Sequence, residues 1–305
     1  MIIADTQKII EEFESGLNPN DLDASKIPAK VLGYGEISTV FQIGGLETEA
    51  CKRMPLFAAV TEADNYSSRY EDYCRYLQAA GLTLTESQTF VFNLSEKPVT
   101  LYIVQNKLNI DEFAHKLLHS EPDEKARDII ESIIQEIKKV WKFNKHNKPG
   151  LELALDGQLS NWVRDGGKFV YIDTSTPLFK LEGVEQLDPE LFLKSAPSFL
   201  RWMIRLFFLQ EVMDRYYNLR SVFLDLAGNL YKEQRKGLIP DVLEIINDNL
   251  NENDEPLDEK EVAKYYKEDK FIWALFLALR RFDRWLHTKV FHKPYPYILP
   301  GKIKR

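Results

Sequence analysis

Three oxygen-bearing side chains, Asp156, Asn161 and Asp173, stand at spacings that could hold a divalent cation beside a proton acceptor. They lie in Asp156-Gly-Gln-Leu-Ser-Asn161 and in the Trp162-Val-Arg-Asp-Gly-Gly-Lys-Phe-Val-Tyr-Ile-Asp173 that follows. Asp165-Gly166-Gly167 is a strong hairpin signal, and Lys168-Phe-Val-Tyr-Ile172 returns as an alternating, β-rich run. The hairpin predicts that Asn161 and Asp173 finish near each other. An amide oxygen and a carboxylate are hard ligands suited to Mg²⁺, which takes one or two protein ligands beside phosphate oxygens. Asp156 would then accept a proton or orient a hydroxyl next to the metal, a pattern that suits phosphoryl transfer. Asp and Asn are also common turn and capping residues, so the triplet gains its weight from what precedes it.

Upstream, Val31-Leu-Gly-Tyr-Gly-Glu-Ile-Ser-Thr-Val-Phe41 reads as strand, glycine turn, strand. Gly33 and Gly35 permit close backbone approach, and such a turn can lay N–H groups over phosphates. Ser38 stands where a third glycine would complete G-x-G-x-x-G. No helix pattern follows, so the segment is not a dinucleotide fingerprint, and alone it reads as an ordinary hairpin. In Thr48-Glu-Ala-Cys-Lys52-Arg53-Met54, the next strand, Lys52 could reach two phosphates as a point charge. Arg53 falls on the opposite face. In isolation, Lys52 would be a surface lysine on an edge strand. A helix over about 61–80 follows, and Glu71 within it is the carboxylate expected to pair with Lys52. Glu62, at the helix start, reads as a helix-dipole residue.

Taken in order, Gly33-x-Gly35-x-x-Ser38-x-Val40, Lys52, Glu71, Asp156-x-x-x-x-Asn161 and Asp173 resemble the protein-kinase-like superfamily. The style is nearest to its aminoglycoside and choline kinase-like small-molecule phosphotransferases. The resemblance covers Val31 to Phe179 and implies an α+β, two-lobed fold, with a small β-rich N-lobe and a larger, mainly helical C-lobe. It implies that Gly33, Gly35 and Ser38 cover the phosphates of ATP, and that Lys52, held by Glu71, contacts the α- and β-phosphates. It further implies that Asp156 is the catalytic base and that Asn161 and Asp173 bind Mg²⁺. Gln105 and Asn106 would fall at the hinge, whose backbone groups meet adenine. Three departures stand out. Ala154 replaces the His two residues before the catalytic Asp, Leu155 replaces the Arg just before it, and Thr174-Ser175-Thr176-Pro177 replaces the usual Phe-Gly. These argue against a regulated protein kinase. They leave room for a pseudokinase-type nucleotide-binding regulator, or for a kinase-like adenylyltransferase. The quick passage from Pro177 toward helical sequence, without an activation segment, points to a small-molecule acceptor.

The chain's 305 residues suffice for one large or two modest domains with a real core, and 44% hydrophobic content excludes a disordered chain. A net charge of −7 gives no general nucleic-acid footprint. Cys51 and Cys74 form no metal motif or disulfide scaffold and read as reduced core thiols. No signal peptide is visible, because charges begin at Asp5 and Lys8. The apolar runs 199–210 and 271–279 are short or broken by arginine and read as buried helices rather than membrane spans. Cytoplasmic residence follows as the expectation. The C-terminus is locally basic, with Arg280, Arg281, Arg284, Lys289, Lys293, Lys302, Lys304 and Arg305. That suits an anionic-substrate or membrane-surface patch, or more simply a solvated helix face and tail.

The expected organisation is an N-terminal helix and linker over 1–30, an N-lobe over 31–106 and a helical C-lobe over 107–305. A helix over 126–144 is marked by Ile129, Ile130, Ile133, Ile134, Ile137, Val140 and Trp141 at helical spacing. Further helices are predicted at about 189–193, 197–214, 216–235, 239–250, 258–267 and 269–288. Asp225, Asn229 and Lys232 or Glu233 share one helix face. They read as an ion-pair network between helices, or as a substrate wall. His115 and His119 are four apart, but no third metal ligand is evident.

Overall fold

The computed structural model describes residues 3–35, 37–147, 149–188, 190–194, 201, 209–293 and 295–300. Strands dominate the first third and helices the remainder, a mixed α+β architecture that agrees with the two-lobed kinase-like arrangement.

The β-rich part is one antiparallel sheet of five strands. These are β1 (Ala29–Tyr34), β2 (Thr39–Ile43), β3 (Leu46–Phe57), β5 (Ser87–Phe92) and β6 (Val99–Asn106), in the order β1-β2-β3-β6-β5. Both faces are covered, so the central strands are near-continuously apolar and β6 runs through buried Val99, Leu101, Ile103 and Val104. The outer face packs on α1 (Ile3–Gly16) through Ile10, Phe13, Phe41, Phe90 and Phe92. Within that layer lies a buried ion pair. Arg53 Nε and Nη2 donate to the two oxygens of Glu14 at 2.6 and 2.7 Å, and the Tyr102 hydroxyl donates to Glu14 Oε2 at 2.6 Å. Lys97 donates to the carbonyls of Ser15 and Leu17 at 3.1 Å each, placing a cation at the negative end of the α1 dipole. Cys51 is buried on the same face, where burial pushes its thiol up to about 12, while Cys74 is half-buried and also free.

The inner face receives α2 (Val60–Ala79), which buries Ala63, Tyr66, Tyr70, Tyr73 and Leu77 at three- and four-residue intervals. Short α3 (Ala114–Ser120) then leads into α4 (Asp123–His146). There Ile129, Ile130, Ile133, Ile134 and Ile137 form the buried stripe, with Asp123 and Glu124 in the first turn and Lys145 and His146 in the last. Asn144 ties this helix to β7 (Leu151–Leu153), accepting from Leu153 N–H at 2.9 Å and donating to Leu153 C=O at 2.7 Å.

β8 (Trp162–Asp165) and β9 (Lys168–Tyr171) form the expected hairpin. Gly166 and Gly167 both have positive φ, +55° and +81°, as a two-residue turn of this kind requires. β4 (Thr83–Leu84) adds in parallel to β9. A second small sheet, β11-β10-β7, joins β7 to β10 (Phe179–Leu181) and β11 (Val184–Glu185). The sequence reading passed from Pro177 to helix without this hairpin, and Glu182 and Gly183, both at positive φ, turn it.

The helical remainder comprises α5 (Glu190–Lys194), α6 (Leu209–Tyr217), α7 (Leu219–Lys232), α8 (Ile239–Asp248) and α9 (Glu259–Trp285). The expected helix over 197–214 falls largely outside the described residues. The two helices expected at 258–267 and 269–288 are one. Asp269, at the presumed break, faces α7 and pairs with Lys232 at 3.3 Å, and neither Gly nor Pro interrupts the segment. A π-helical turn over Leu286–Val290 follows. The chain then returns to the small lobe, where Arg53 Nη1 donates to Pro296 C=O at 2.9 Å and Tyr295, Ile298 and Leu299 are buried.

Candidate functional site

Lys52 lies mid-strand in β3, opposite Val40 on one side and Ile103 on the other, with its side chain on the inner face of the sheet. Its ammonium donates to Asp173 Oδ1 at 2.8 Å and to Ser175 Oγ at 2.6 Å. The Ser175 hydroxyl in turn donates to the same Asp173 oxygen at 3.1 Å. Burial pushes the Asp173 carboxyl up, but the charge and hydrogen bond of Lys52, with the Ser175 hydroxyl, outweigh it and hold the group below the ordinary Asp range. Two residues widely separated in sequence therefore meet where the resemblance expects phosphate and metal chemistry.

The expected Lys52–Glu71 pair does not form. Glu71 is exposed on α2, one position past the inward-facing Tyr70 and so about a third of a turn off that face. From the inward face Tyr66 reaches Ser175, which Lys52 also contacts: its hydroxyl donates to Ser175 C=O at 2.6 Å. Glu62 receives the Ala58 N–H at 2.7 Å and pairs with Lys194, tying α2 to α5.

The β8–β9 register sets Trp162 opposite Tyr171, and Ile172 N–H donates to Asn161 C=O at 3.0 Å. Asn161 and Asp173 are thereby held at adjoining strand ends, as the hairpin predicts. Asn161 Nδ2 donates to Asp156 C=O at 3.2 Å, closing the loop between them. Asp156 Oδ1 accepts Gln158 N–H at 3.0 Å. The loop lacks the usual His and Arg, and other residues brace it. Tyr73 donates to Ala154 C=O at 2.7 Å, Asp156 N–H donates to the Tyr171 hydroxyl at 3.3 Å, and Leu159 N–H donates to Asn229 Oδ1 at 3.2 Å. Burial, reinforced by the charges of Asp173 and Asp156, pushes both phenols far up, so they stay neutral.

Sequence reasoning missed Tyr66, Tyr73, Tyr171, Ser175 and Asn229. The tyrosines were visible only as members of apolar stripes. Asn229 was read within a polar helix face, but it is buried, and its amide Nδ2 donates to Asp225 C=O at 2.7 Å while Oδ1 turns to the loop. The neighbouring charges do join helices. Tyr265 donates to Asp225 at 2.9 Å, and Arg220 pairs with Glu261 at 2.6 Å.

The glycine turn is a tight hairpin, with Gly35 N–H donating to Ser38 C=O at 3.0 Å. A Cβ at Gly35 would meet Ser38 Oγ at 2.5 Å, whereas one at Gly33 would meet nothing within 4 Å. Gly35 thus makes room for the Ser38 hydroxyl, and Gly33 leaves open space. The expected hinge donors are occupied by the fold. Asn106 N–H donates to Glu86 C=O at 3.3 Å and Lys107 N–H to Thr48 C=O at 2.8 Å. The Gln105 side-chain amide reaches the segment after Asp173, donating to Thr174 Oγ1 at 3.1 Å. In this structure Gln105 and Asn106 serve strand pairing and packing, and the resemblance alone carries their hinge role.

Residues 20–284 match the family DUF6206, a family of unknown function. The chain belongs to DUF6206. No curated protein matches this DUF6206 chain. Among solved structures it is similar to that of WaaP in complex with acyl carrier protein. The identity is 14%, covering 73% of this chain and 92% of that one, with a TM-score of 0.31.

Asn161 and Asp173 suit a hard cation, since each offers an oxygen and the set contains no sulfur or imidazole. Among the described residues, Lys52 and Ser175 both bond Asp173 through Oδ1, so a cation would be offered Oδ2. Among the described residues no group of three or more His, Cys, Asp or Glu could hold a metal on its own. Any cation here would therefore share its shell with phosphate oxygens or water.

Proposed function

We propose that this protein is an ATP- and Mg²⁺-dependent phosphotransferase acting on a hydroxyl of a small-molecule acceptor. The observation that carries the reading is the Lys52–Asp173 contact at 2.8 Å, next to the loop that holds Asp156 and Asn161. A lysine and a metal-type carboxylate in mutual contact are each other's counter-charge until phosphate and cation supply better ones. Lys52 would turn from Asp173 to the phosphates, and Asp173 with Asn161 would hold Mg²⁺. When bound, Mg²⁺ neutralises charge on the transferring group. The carboxylate of Asp156 would accept the acceptor's hydroxyl proton. Catalysis would rest on positioning and charge neutralisation. The Gly33–Ser38 turn would cover the phosphates from above.

A nucleotide-responsive regulatory protein without transfer is the second reading. It is favoured by the exposed position of Glu71, which leaves Lys52 without the helix carboxylate that the resemblance implies. The test is the melting shift with ATP, with and without Mg²⁺, for the wild type and for Asp173→Ala, followed by product analysis. A Mg²⁺-dependent shift that vanishes in the variant supports a nucleotide–metal site. Release of ADP in acceptor screens would then mark phosphoryl transfer and release of pyrophosphate adenylyl transfer, and turnover in no screen would favour the regulatory reading. No shift with any nucleotide in the wild type would sink both readings.

A further inference from the structure

The second half of α9 is inside-out. Its buried side carries Leu277, Arg280 and Asp283, and the Arg280 guanidinium lies 5.4 and 5.2 Å from the ring centres of Phe276 and Tyr297. The opposite side carries Phe271, Leu275, Phe282 and Trp285, exposed by 69, 47, 48 and 51%. Their spacing of i, i+4, i+11 and i+14, with exposed Ala278 at i+7, sets them in one stripe along the helix. Val290 and Phe291 prolong it beyond the helix end. The sequence reading placed 271–279 in a buried helix, and here the structure differs. Single exposed apolar side chains are ordinary, but a continuous stripe marks an interaction face.

Cations predominate along the border of this stripe. Lys267, Lys270, Arg281, Lys289 and Lys293 are exposed there and just beyond the helix end, against one exposed acidic residue, Glu268, a turn before Phe271. This is a local reversal in a chain of net charge −7. Aromatic side chains on an apolar face edged by cations are the composition of a helix that lies in a membrane interface. A second copy paired about a two-fold axis would bring a second set of the same cations to the contact. Headgroups of anionic lipid complement them. No described helix is long and apolar enough to cross a membrane, so the contact would be one of lying on the surface.

We infer that the Phe271–Phe291 face docks the protein onto the surface of a membrane that carries anionic lipid. The full chain would be sedimented with vesicles of phosphatidylcholine alone and of an equimolar mixture with phosphatidylglycerol. The expected result is binding to the anionic vesicles that weakens with added salt. Phe282→Asp combined with Trp285→Asp should abolish it, and Lys270→Glu combined with Lys289→Glu should weaken it severalfold. Should the apolar variant fail to fold, the wild type decides. Brominated lipid should quench its tryptophan fluorescence, and Trp285→Phe should remove most of that quenching. Absence of anionic-vesicle binding by the wild type overturns the inference. So does a dimer in sedimentation equilibrium that Phe282→Asp dissociates, since the face would then be covered by a second copy.

Discussion

Lys52 and Asp173, 121 positions apart in the chain, are joined at 2.8 Å, with Ser175 bonded to both. The contact fastens the central strand of the small sheet to the end of the β8–β9 hairpin. It is half-sheltered, with side chains 16 and 28% exposed. Lys52→Met should therefore destabilise the fold by only about 1–2 kcal/mol, the cost of leaving a partly buried carboxylate without its charged donor. Urea unfolding of the two proteins checks this. Equal midpoints would mean that the pair contributes no net stability.

The Glu14–Arg53 pair should behave differently, because its side chains are 1 and 4% exposed. Removing the carboxylate's charge strands a buried guanidinium, so Glu14→Gln should cost on the order of 3 kcal/mol at neutral pH. Burial raises the Glu14 carboxyl, but Arg53, Tyr102 and Lys97 together bring it below its ordinary 4.5. A depressed folded pKa means that the stabilisation is present above the unfolded value and drains away as pH falls through the folded one. The gap between wild type and variant should be full at pH 7 and should narrow below about pH 4. Denaturant midpoints across that range would test it, and a constant gap would show that the charge is not what matters.

The strand–turn–strand at Gly33–Ser38, the lysine strand, the isoleucine stripe of α4 and the Gly166–Gly167 hairpin were legible because each depends on local periodicity or turn chemistry. Glu71 was misread for a reason the same periodicity contains. Ala63, Tyr66, Tyr70, Tyr73 and Leu77 define the inward face of α2, and Glu71 lies off it. The partner of Lys52 was not legible, since it depends on how the hairpin end meets the sheet. The bracing by Tyr73, Tyr171 and Asn229 likewise joins segments far apart in the chain. A buried Asn demands a partner, but nothing in its neighbours says that the partner is Leu159. In α9 the pattern shows an apolar side, and only packing shows that this side faces out.

Asn229 gives a prediction on the loop itself. Its Oδ1 accepts the Leu159 N–H at 3.2 Å in a buried setting. Asn229→Ala leaves that N–H unsatisfied at a cost of about 1–3 kcal/mol. Amide exchange should accelerate locally at Leu159 and its neighbours, ahead of global unfolding. Uniform acceleration across the chain would count against a specific role in holding the Asp156–Asn161 loop.

The glycine turn offers a coupled test. At Gly35 an added methyl group would approach Ser38 Oγ to 2.5 Å, closer than any ordinary contact. Gly35→Ala should push the Ser38 side chain away and distort the turn, costing about 1 kcal/mol, whereas Gly33→Ala adds a methyl group to open space. Ser38→Ala removes the offending oxygen, so the double variant Gly35→Ala/Ser38→Ala should recover part of the loss. A double-mutant cycle read by thermal unfolding would then show coupling of at least about 0.5 kcal/mol. Additive effects would mean that the strain at Gly35 comes from the backbone and not from the serine. If the turn also covers phosphates, Gly33→Ala should leave stability unchanged yet reduce the ATP-dependent melting shift, because the space that it fills is the space the nucleotide would need.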